Sequence, residues 1–313
     1  MTKIETATGP VEPDQLGFTL SHEHVLIASA GIFQGYPFLF DMERTRTQAV
    51  RELSEAKAGG VDTIIDLSTL DLGLDVQFVA DVSRRSGMQI VVATGLWLDI
   101  PRFFWERGPD FLAKVFIREI EEGIGDTGIK PAVIKVANDV GGVSAVGEVL
   151  LRAAARAHRA TGVPISTHQW APEQVGRRQV EIFREEGVDM TRVCVGHSAD
   201  TTDVEYLVEL LEAGVYLCLD RYPGHEGRPD WKTRNATVKA LIDRGFANRL
   251  MLGHDYAPQP VLIGQEPGPP SSPTGYLFLS RTAIPALLEL GVSEHTIHTM
   301  MVDVPRRFLS GQA

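Results

Sequence analysis

The stretch Ser21-His22-Glu23-His24 places two imidazoles one residue apart at the end of the run Leu16-Gly17-Phe18-Thr19-Leu20. Side chains of a strand alternate between its faces, so His22 and His24 project the same way, as a chelating pair does. Further donors stand at the ends of later apolar runs: Lys135, His168, His197 and Asp255. Four imidazoles and a carboxylate exceed the needs of one four-coordinate zinc and point to two divalent ions. Lys135 is the odd member, inside Val133-Ile134-Lys135-Val136-Ala137. A buried ammonium is expensive, and beside two cations it is also repelled. The position makes sense for an amine converted to an anion, as in the carbamate formed with carbon dioxide.

These donors need elements that bring them together. Strand-like runs recur at 61–67, 89–94, 132–137, 163–168, 193–197, 215–220 and 249–255 after the first at 16–24. Between them lie helical stretches at 43–58, 75–85, 111–122, 146–160, 173–186, 203–213 and 232–244, with more helix from Ile284 onward and a loop at 33–40. Near-continuous apolar strands suit a parallel sheet covered on both faces. Eight such units predict a closed (β/α)8 TIM barrel, an α/β fold in a single domain over 1–313, with a doubly wound open sheet as the alternative. In a barrel the C-terminal strand ends converge on one face, where catalytic residues lie. Residues 256–280, rich in Pro and Gly, predict a long substrate loop over that face. Nucleotide-binding glycine motifs do not occur in the chain.

The bulk properties narrow the function. A formal charge of -11 and a pI near 5.3 argue against nucleic acid or an anionic membrane as partner. Cys194 and Cys218 lie in apolar runs and read as buried core thiols. Residues 1–7 lack the pattern of a signal peptide, and no apolar stretch is long enough to span a bilayer, so the expected location is cytoplasmic.

The His-x-His strand, the run from Asp126 to Ala137, Val163-Pro164-Ile165-Ser166-Thr167-His168, Val195-Gly196-His197-Ser198 and Gly253-His254-Asp255 together resemble the phosphotriesterase family of the amidohydrolase superfamily. That family includes phosphotriesterases and phosphotriesterase-like lactonases, and the match runs through nearly the whole chain. The resemblance implies that His22, His24 and Asp255 hold a buried ion and that His168 and His197 hold a more exposed one. It implies that a carboxylated Lys135 bridges both together with a hydroxide, that the ions are zinc first and cobalt, manganese or iron otherwise, and that the molecule is a homodimer. Asp255 would take the proton of the nucleophile and return it to the leaving group. Arg221 stands where lactonases tend to carry Arg and phosphotriesterases His, which favours a lactone, N-acyl homoserine lactones above all. Gly95-Leu96-Trp97 resembles the phosphotriesterase sequence instead. A phosphotriesterase, a cyclic-amide hydrolase and a barrel that binds without turnover are the alternatives.

Around this set, Trp97, Arg221, Tyr222 and Tyr256 are the expected substrate contacts, with Trp105 and Trp231 as further candidates. Asp200 reads as a loop cap, with orientation of Arg221 or a proton path as the functional alternative. His158 reads as a solvated helix residue, His295 and His298 as structural, and His225 and Glu226 as loop residues with substrate contact as the alternative. His254 has the opposite strand parity to Asp255 and should point away from the centre.

Overall fold

Residues 3–266 and 270–312 are described by the computed structural model. The apolar runs form eight parallel strands: β1 (Thr19–Glu23), β2 (Thr63–Asp66), β3 (Gln89–Gly95), β4 (Val133–Ala137), β5 (Ile165–His168), β6 (Val193–Val195), β7 (Tyr216–Leu219) and β8 (Leu250–Leu252). They pair in chain order from β1 to β8. The outer edges then meet, since Asp255 N–H donates to His22 O at 2.9 Å and His24 N–H to Tyr256 O at 2.9 Å. An open doubly wound sheet reverses its strand order at a switch point, so the sequential order makes this the (β/α)8 barrel. At the seam, a Cβ on Gly253 would lie 2.9 Å from His22 N and O, which is why the residue there carries none.

The helices follow in order as α1 (Ile32–Gly35), α2 (Met42–Ala58), α3 (Val76–Ser86), α4 (Gly108–Glu122), α5 (Ala145–Thr161), α6 (Gly176–Glu185), α7 (Val204–Glu212), α8 (Trp231–Asp243), α9 (Ile284–Glu289), α10 (Glu294–His298) and α11 (Val304–Ser310). Asp41, Asp75, Ser144, Asp203 and Asp230 each accept an N–H of the first turn they precede, which fixes where α2, α3, α5, α7 and α8 begin. Two expectations shift. The predicted loop at 33–40 holds the single turn α1 and a 3-10 turn. The sixth helix starts at Gly176 instead of Glu173, because Ala171–Glu173 is a 3-10 turn and Gln174 at φ 57° breaks the run.

Alternation along the strands sorts the core into two layers. Ile64, Ile90, Val92, Ile134, Val136, Leu217 and Leu219 face outward to the helices. Ile65, Val91, Ala93, Val133, Cys194, Cys218 and Met251 fill the barrel, and Phe308 and Leu309 of α11 pack against its lower end. Both cysteines are buried and free. Among the described residues no helix is long and apolar enough to cross a membrane.

The segment after β8 packs along α2. Pro267, Gly268 and Pro269 lie outside the described residues. Around them the chain turns back on α2: Asp41 N–H donates to Val261 O at 2.8 Å, and Val261 N–H to Thr45 Oγ1 at 2.9 Å. It ends in a 3-10 turn (Gly275–Leu277) and a π-helical turn (Leu279–Ala283).

Candidate metal centre

Strand parity alone does not aim the first histidine pair into the barrel. Leu20 packs outward and Ser21 inward, with Ser21 Oγ 3.1 Å from Cys218 Sγ, so strict alternation would turn His22 outward. The register of β1 against β2 slips between Leu20 and Glu23, a bulge that rotates the following residues. His22 and His24 therefore face the barrel axis and Glu23 faces away. Glu23 is fully buried and accepts from His254 N–H at 2.7 Å, His254 Nδ1 at 2.7 Å and Tyr256 N–H at 3.2 Å. His254 Nε2 in turn accepts Leu279 N–H at 3.0 Å, so His254 points away from the centre as its parity predicts.

A second distortion acts at β6, β7 and β8. Among the described residues only four non-glycines hold a positive φ, and three of them are His197 (54°), Arg221 (63°) and Asp255 (54°). Each sits just past a strand end, where the left-handed turn re-aims its side chain. Such conformations are disfavoured for residues with a Cβ and gather at functional sites.

The re-aimed groups meet in a cavity of about 220 Å³ lined by His22, His24, Ile27, Leu72, Trp97, Lys135, His168, His197, Arg221 and Asp255. His24 Nε2 lies 3.1 Å and His22 Nε2 3.4 Å from Asp255 Oδ1. Lys135 Nζ is 3.3 Å from His22 Nε2, and His197 Nε2 is 2.8 Å from His168 Nδ1. The opposite nitrogens are held from behind. Asp220 takes His22 Nδ1 at 2.6 Å and His197 Nδ1 at 2.9 Å, while Ser68 Oγ sits 2.9 Å from His24 Nδ1. Asp139 Oδ2 is 3.2 Å from His168 Nε2 but out of line for a hydrogen bond.

An imidazole fixed through one nitrogen presents the other's lone pair, which is how metal-binding histidines are held. The donor set thus fits divalent ions, with His22, His24 and Asp255 close enough to share one. His22, His197 and Asp220 also cluster. There Asp220 takes both Nδ1 atoms as hydrogen bonds, on the far side of the rings from the Nε2 atoms that face Asp255 and His168.

Electrostatics agree with that division. Burial, reinforced by Lys135, lowers the His22 pKa to about 4, and burial with Arg221 holds His197 well below the usual imidazole range. Neutral rings are the form that ligates. Burial also lowers Lys135 to about 8, although Asp255 and Asp220 oppose it. For Asp220 and Asp255 burial pushes upward, yet the adjacent histidines, with Arg221 in the case of Asp255, keep both carboxyls well below their ordinary value.

The six expected donors line one cavity, and Trp97 and Arg221 line it with them. Trp97 is anchored by its N–H to Asp71 at 2.9 Å, and its indole N–H reaches His168 Nδ1 at 3.2 Å. Arg221 spans Asp255 Oδ2 (2.9 Å from Nε) and Asp200 Oδ2 (2.6 Å from Nη1), so Asp200 does orient it.

Tyr222 is buried with its hydroxyl on Asn235 of α8 at 2.9 Å, and the hydroxyl of Tyr256 donates to Glu52 of α2 at 2.8 Å. Neither lines the cavity, nor does any described residue of the expected substrate loop, Trp105 or Trp231. His158 is buried, not solvated, with Nδ1 on Val163 O at 2.8 Å. Sequence reasoning missed Asp220, Asp139, Ser68, Ile27 and Leu72. Only Asp220 left a signal, as an acid closing an apolar strand in phase with Cys218.

Comparison with known proteins places this geometry. The model of the phosphotriesterase family matches residues 2–309. A phosphotriesterase homology protein of Mycobacterium tuberculosis is 42% identical over 100% of this chain and 99% of its own length. An aryldialkylphosphatase of Saccharolobus solfataricus is 35% identical over 96% of this chain and 97% of its own. The solved structure of the phosphotriesterase from Mycobacterium tuberculosis superposes with a TM-score of 0.91 at 40% identity, covering 99% of this chain and 98% of that one.

Proposed function

The chain belongs to the phosphotriesterase family and is a metal-dependent hydrolase, and from that premise we propose that it opens lactones, N-acyl homoserine lactones first among them, with phosphotriester hydrolysis as a side activity. The observation that carries the reading is Arg221, which lines the cavity beside Asp255 at the position where lactonases of this kind tend to carry arginine. The second reading, a phosphotriesterase proper, is favoured by Trp97 in the cavity wall and by the aryldialkylphosphatase among the relatives.

In this reading His22, His24 and Asp255 would hold one ion and His168 and His197 the other, and Lys135, once carboxylated on Nζ, would serve both. When bound, the two ions supply a nucleophile at neutral pH by acidifying water and stabilise the oxyanion of the opened carbonyl. The chain's own residues do the rest. Arg221 and His24 orient the Asp255 carboxylate, which takes a proton from the attacking water and returns it to the departing ring oxygen. Ile27, Leu72 and Trp97 wall the cavity with apolar surface that limits competing water. Zinc is the first choice among the ions, with cobalt, manganese and iron next, since all accept nitrogen and oxygen donors. Two free buried thiols support a reducing compartment such as the cytoplasm. A homodimer is the expected assembly, and light scattering at micromolar concentration checks it.

The deciding experiment is kcat/KM on metal-loaded protein for N-acyl homoserine lactones, simple lactones and one activated phosphotriester. Lactone values of roughly 10⁴ M⁻¹s⁻¹ or more, with the phosphotriester far below, support the lactonase; the reverse order makes it a phosphotriesterase. Lys135→Ala is expected to lower bound metal below the wild-type ratio, with partial restoration by short carboxylates. Full occupancy in that variant would sink the carbamate bridge.

A further inference from the structure

Beside the cavity three guanidinium groups converge on one carboxylate. Asp200, almost fully buried, accepts Arg234 Nη2 on Oδ1 at 2.8 Å, and on Oδ2 it accepts Arg221 Nη1 at 2.6 Å together with Arg228 Nη1. Arg234 is fully buried and committed elsewhere too, with Nη1 on Asp220 O at 2.9 Å and Nε on Pro229 O at 3.0 Å. Arg221 divides itself between Asp200 and Asp255.

Arg228 is different. Asp200 is the one hydrogen-bond partner of its guanidinium among the described residues, its side chain is 26% exposed, and its guanidinium carbon lies 4.8 Å from the centre of the Trp170 ring. Its Nε and Nη2 edge therefore has no hydrogen-bond partner among the described residues, and Trp170 lies two residues beyond His168.

Three permanent cations, Arg221, Arg228 and Arg234, face Asp200, and of these Arg221 also reaches Asp255. Two guanidinium groups sharing a single oxygen atom repel each other, and a further anion beside them lowers that repulsion. His225, in the same loop, feels the same field: burial and then Arg221, Arg228 and Arg234 lower its pKa. A neutral lactone or phosphotriester makes no use of the free edge of Arg228.

We propose that Arg228, with the free edge of its guanidinium, Arg221 beside it and Trp170 under it, is a subsite for a carboxylate or sulfonate on the arm of the substrate remote from the bond that is cleaved. The planar fork of arginine suits bidentate contact with such an oxyanion. The substrate class narrows accordingly to esters, lactones foremost, whose acyl arm ends in an acid. This narrowing rests on the hydrolase reading above.

The test compares two lactones that differ in one group, α-(succinylamino)-γ-butyrolactone and its methyl ester, on the metal-loaded full chain. The acid is expected to exceed the ester in kcat/KM by about tenfold or more at low salt, mainly through KM, with the ratio shrinking as salt rises. In Arg228→Gln the ratio should fall to about one, and Arg228→Lys should keep part of it. Equal values for acid and ester in the wild type, or an undiminished preference in a folded Arg228→Gln, overturn the subsite and leave the lactonase reading standing. If neither lactone is opened, the lactonase reading fails and calorimetry with butanesulfonate decides the subsite alone. Millimolar or tighter binding that Arg228→Gln loses and Arg228→Lys partly keeps supports it, and no binding to the wild type overturns it.

Discussion

Asp220 shows how much of a metal site lies behind the ligands. Its two oxygens take the Nδ1 atoms of His22 and His197, at 2.6 and 2.9 Å, and it sits fully buried beneath them. One carboxylate thereby sets the tautomer and tilt of an imidazole from each half of the donor set. Asp220→Asn would confront one of those N–H groups with an amide N–H in place of an acceptor. The expected outcome is a loss of roughly 10–100-fold in metal affinity with the fold retained. Competition with a chromophoric chelator measures it, and unchanged affinity would remove Asp220 from the positioning role. Arg221 is the other residue whose neighbours decide its meaning: tied to both Asp255 and Asp200, it is a fixed wall charge that steadies the carboxylate next to it.

Among the elements, β1 carries the decisive irregularity. Without the slip between Leu20 and Glu23 the histidine pair would point at the helices and Glu23 into the barrel, where a buried carboxylate would replace two ligands. The packing of α4 on β3 holds a different strain. Glu119 of α4 is mostly buried beside Phe116, Leu112 and Leu96, with Thr94 Oγ1 donating to it, and burial raises its pKa above the ordinary carboxyl value. A raised folded pKa means that stability is greatest below the unfolded pKa and falls as pH rises through the folded one. Glu119→Gln, which keeps the shape without the charge, should therefore raise the melting temperature at pH 7 and change it little near pH 4. A variant less stable at pH 7 would show that the ionised form is favoured there. At the helix ends the effects are smaller: Ser144→Ala removes the acceptor for Gly147 N–H and should cost α5 about 1 kcal/mol, seen as a melting shift of a few degrees at unchanged kcat/KM.

At the scale of the whole barrel, donors from β1, β4, β5, β6 and β8 are separated by as many as 233 positions, from His22 to Asp255, and meet in one cavity. Ions bound there would tie the seam between β1 and β8 to the opposite wall. Ligand binding to the folded state alone stabilises by mass action, about 2.7 kcal/mol at a hundredfold excess over Kd. Exhaustive chelation is expected to lower the melting temperature, and re-addition of zinc to restore it. A melting curve indifferent to chelator would mean that the donors are held by the protein without any ion.

The sequence by itself determined the barrel and its donors. Apolar runs recurring with helical stretches force a parallel sheet, and the strand-end positions of Lys135, His168, His197 and Asp255 follow from chain order alone. It could not determine where the local period is broken. The bulge in β1 and the left-handed turns at His197, Arg221 and Asp255 are conformations that only tertiary closure enforces, since each is disfavoured on its own. The same limit explains Tyr222 and Tyr256, which follow cavity residues in sequence but turn to the helices to bond Asn235 and Glu52. It explains Asp220 and Arg228 as well: a carboxylate behind two rings and a guanidinium over Trp170 acquire their roles from neighbours that lie far away along the chain.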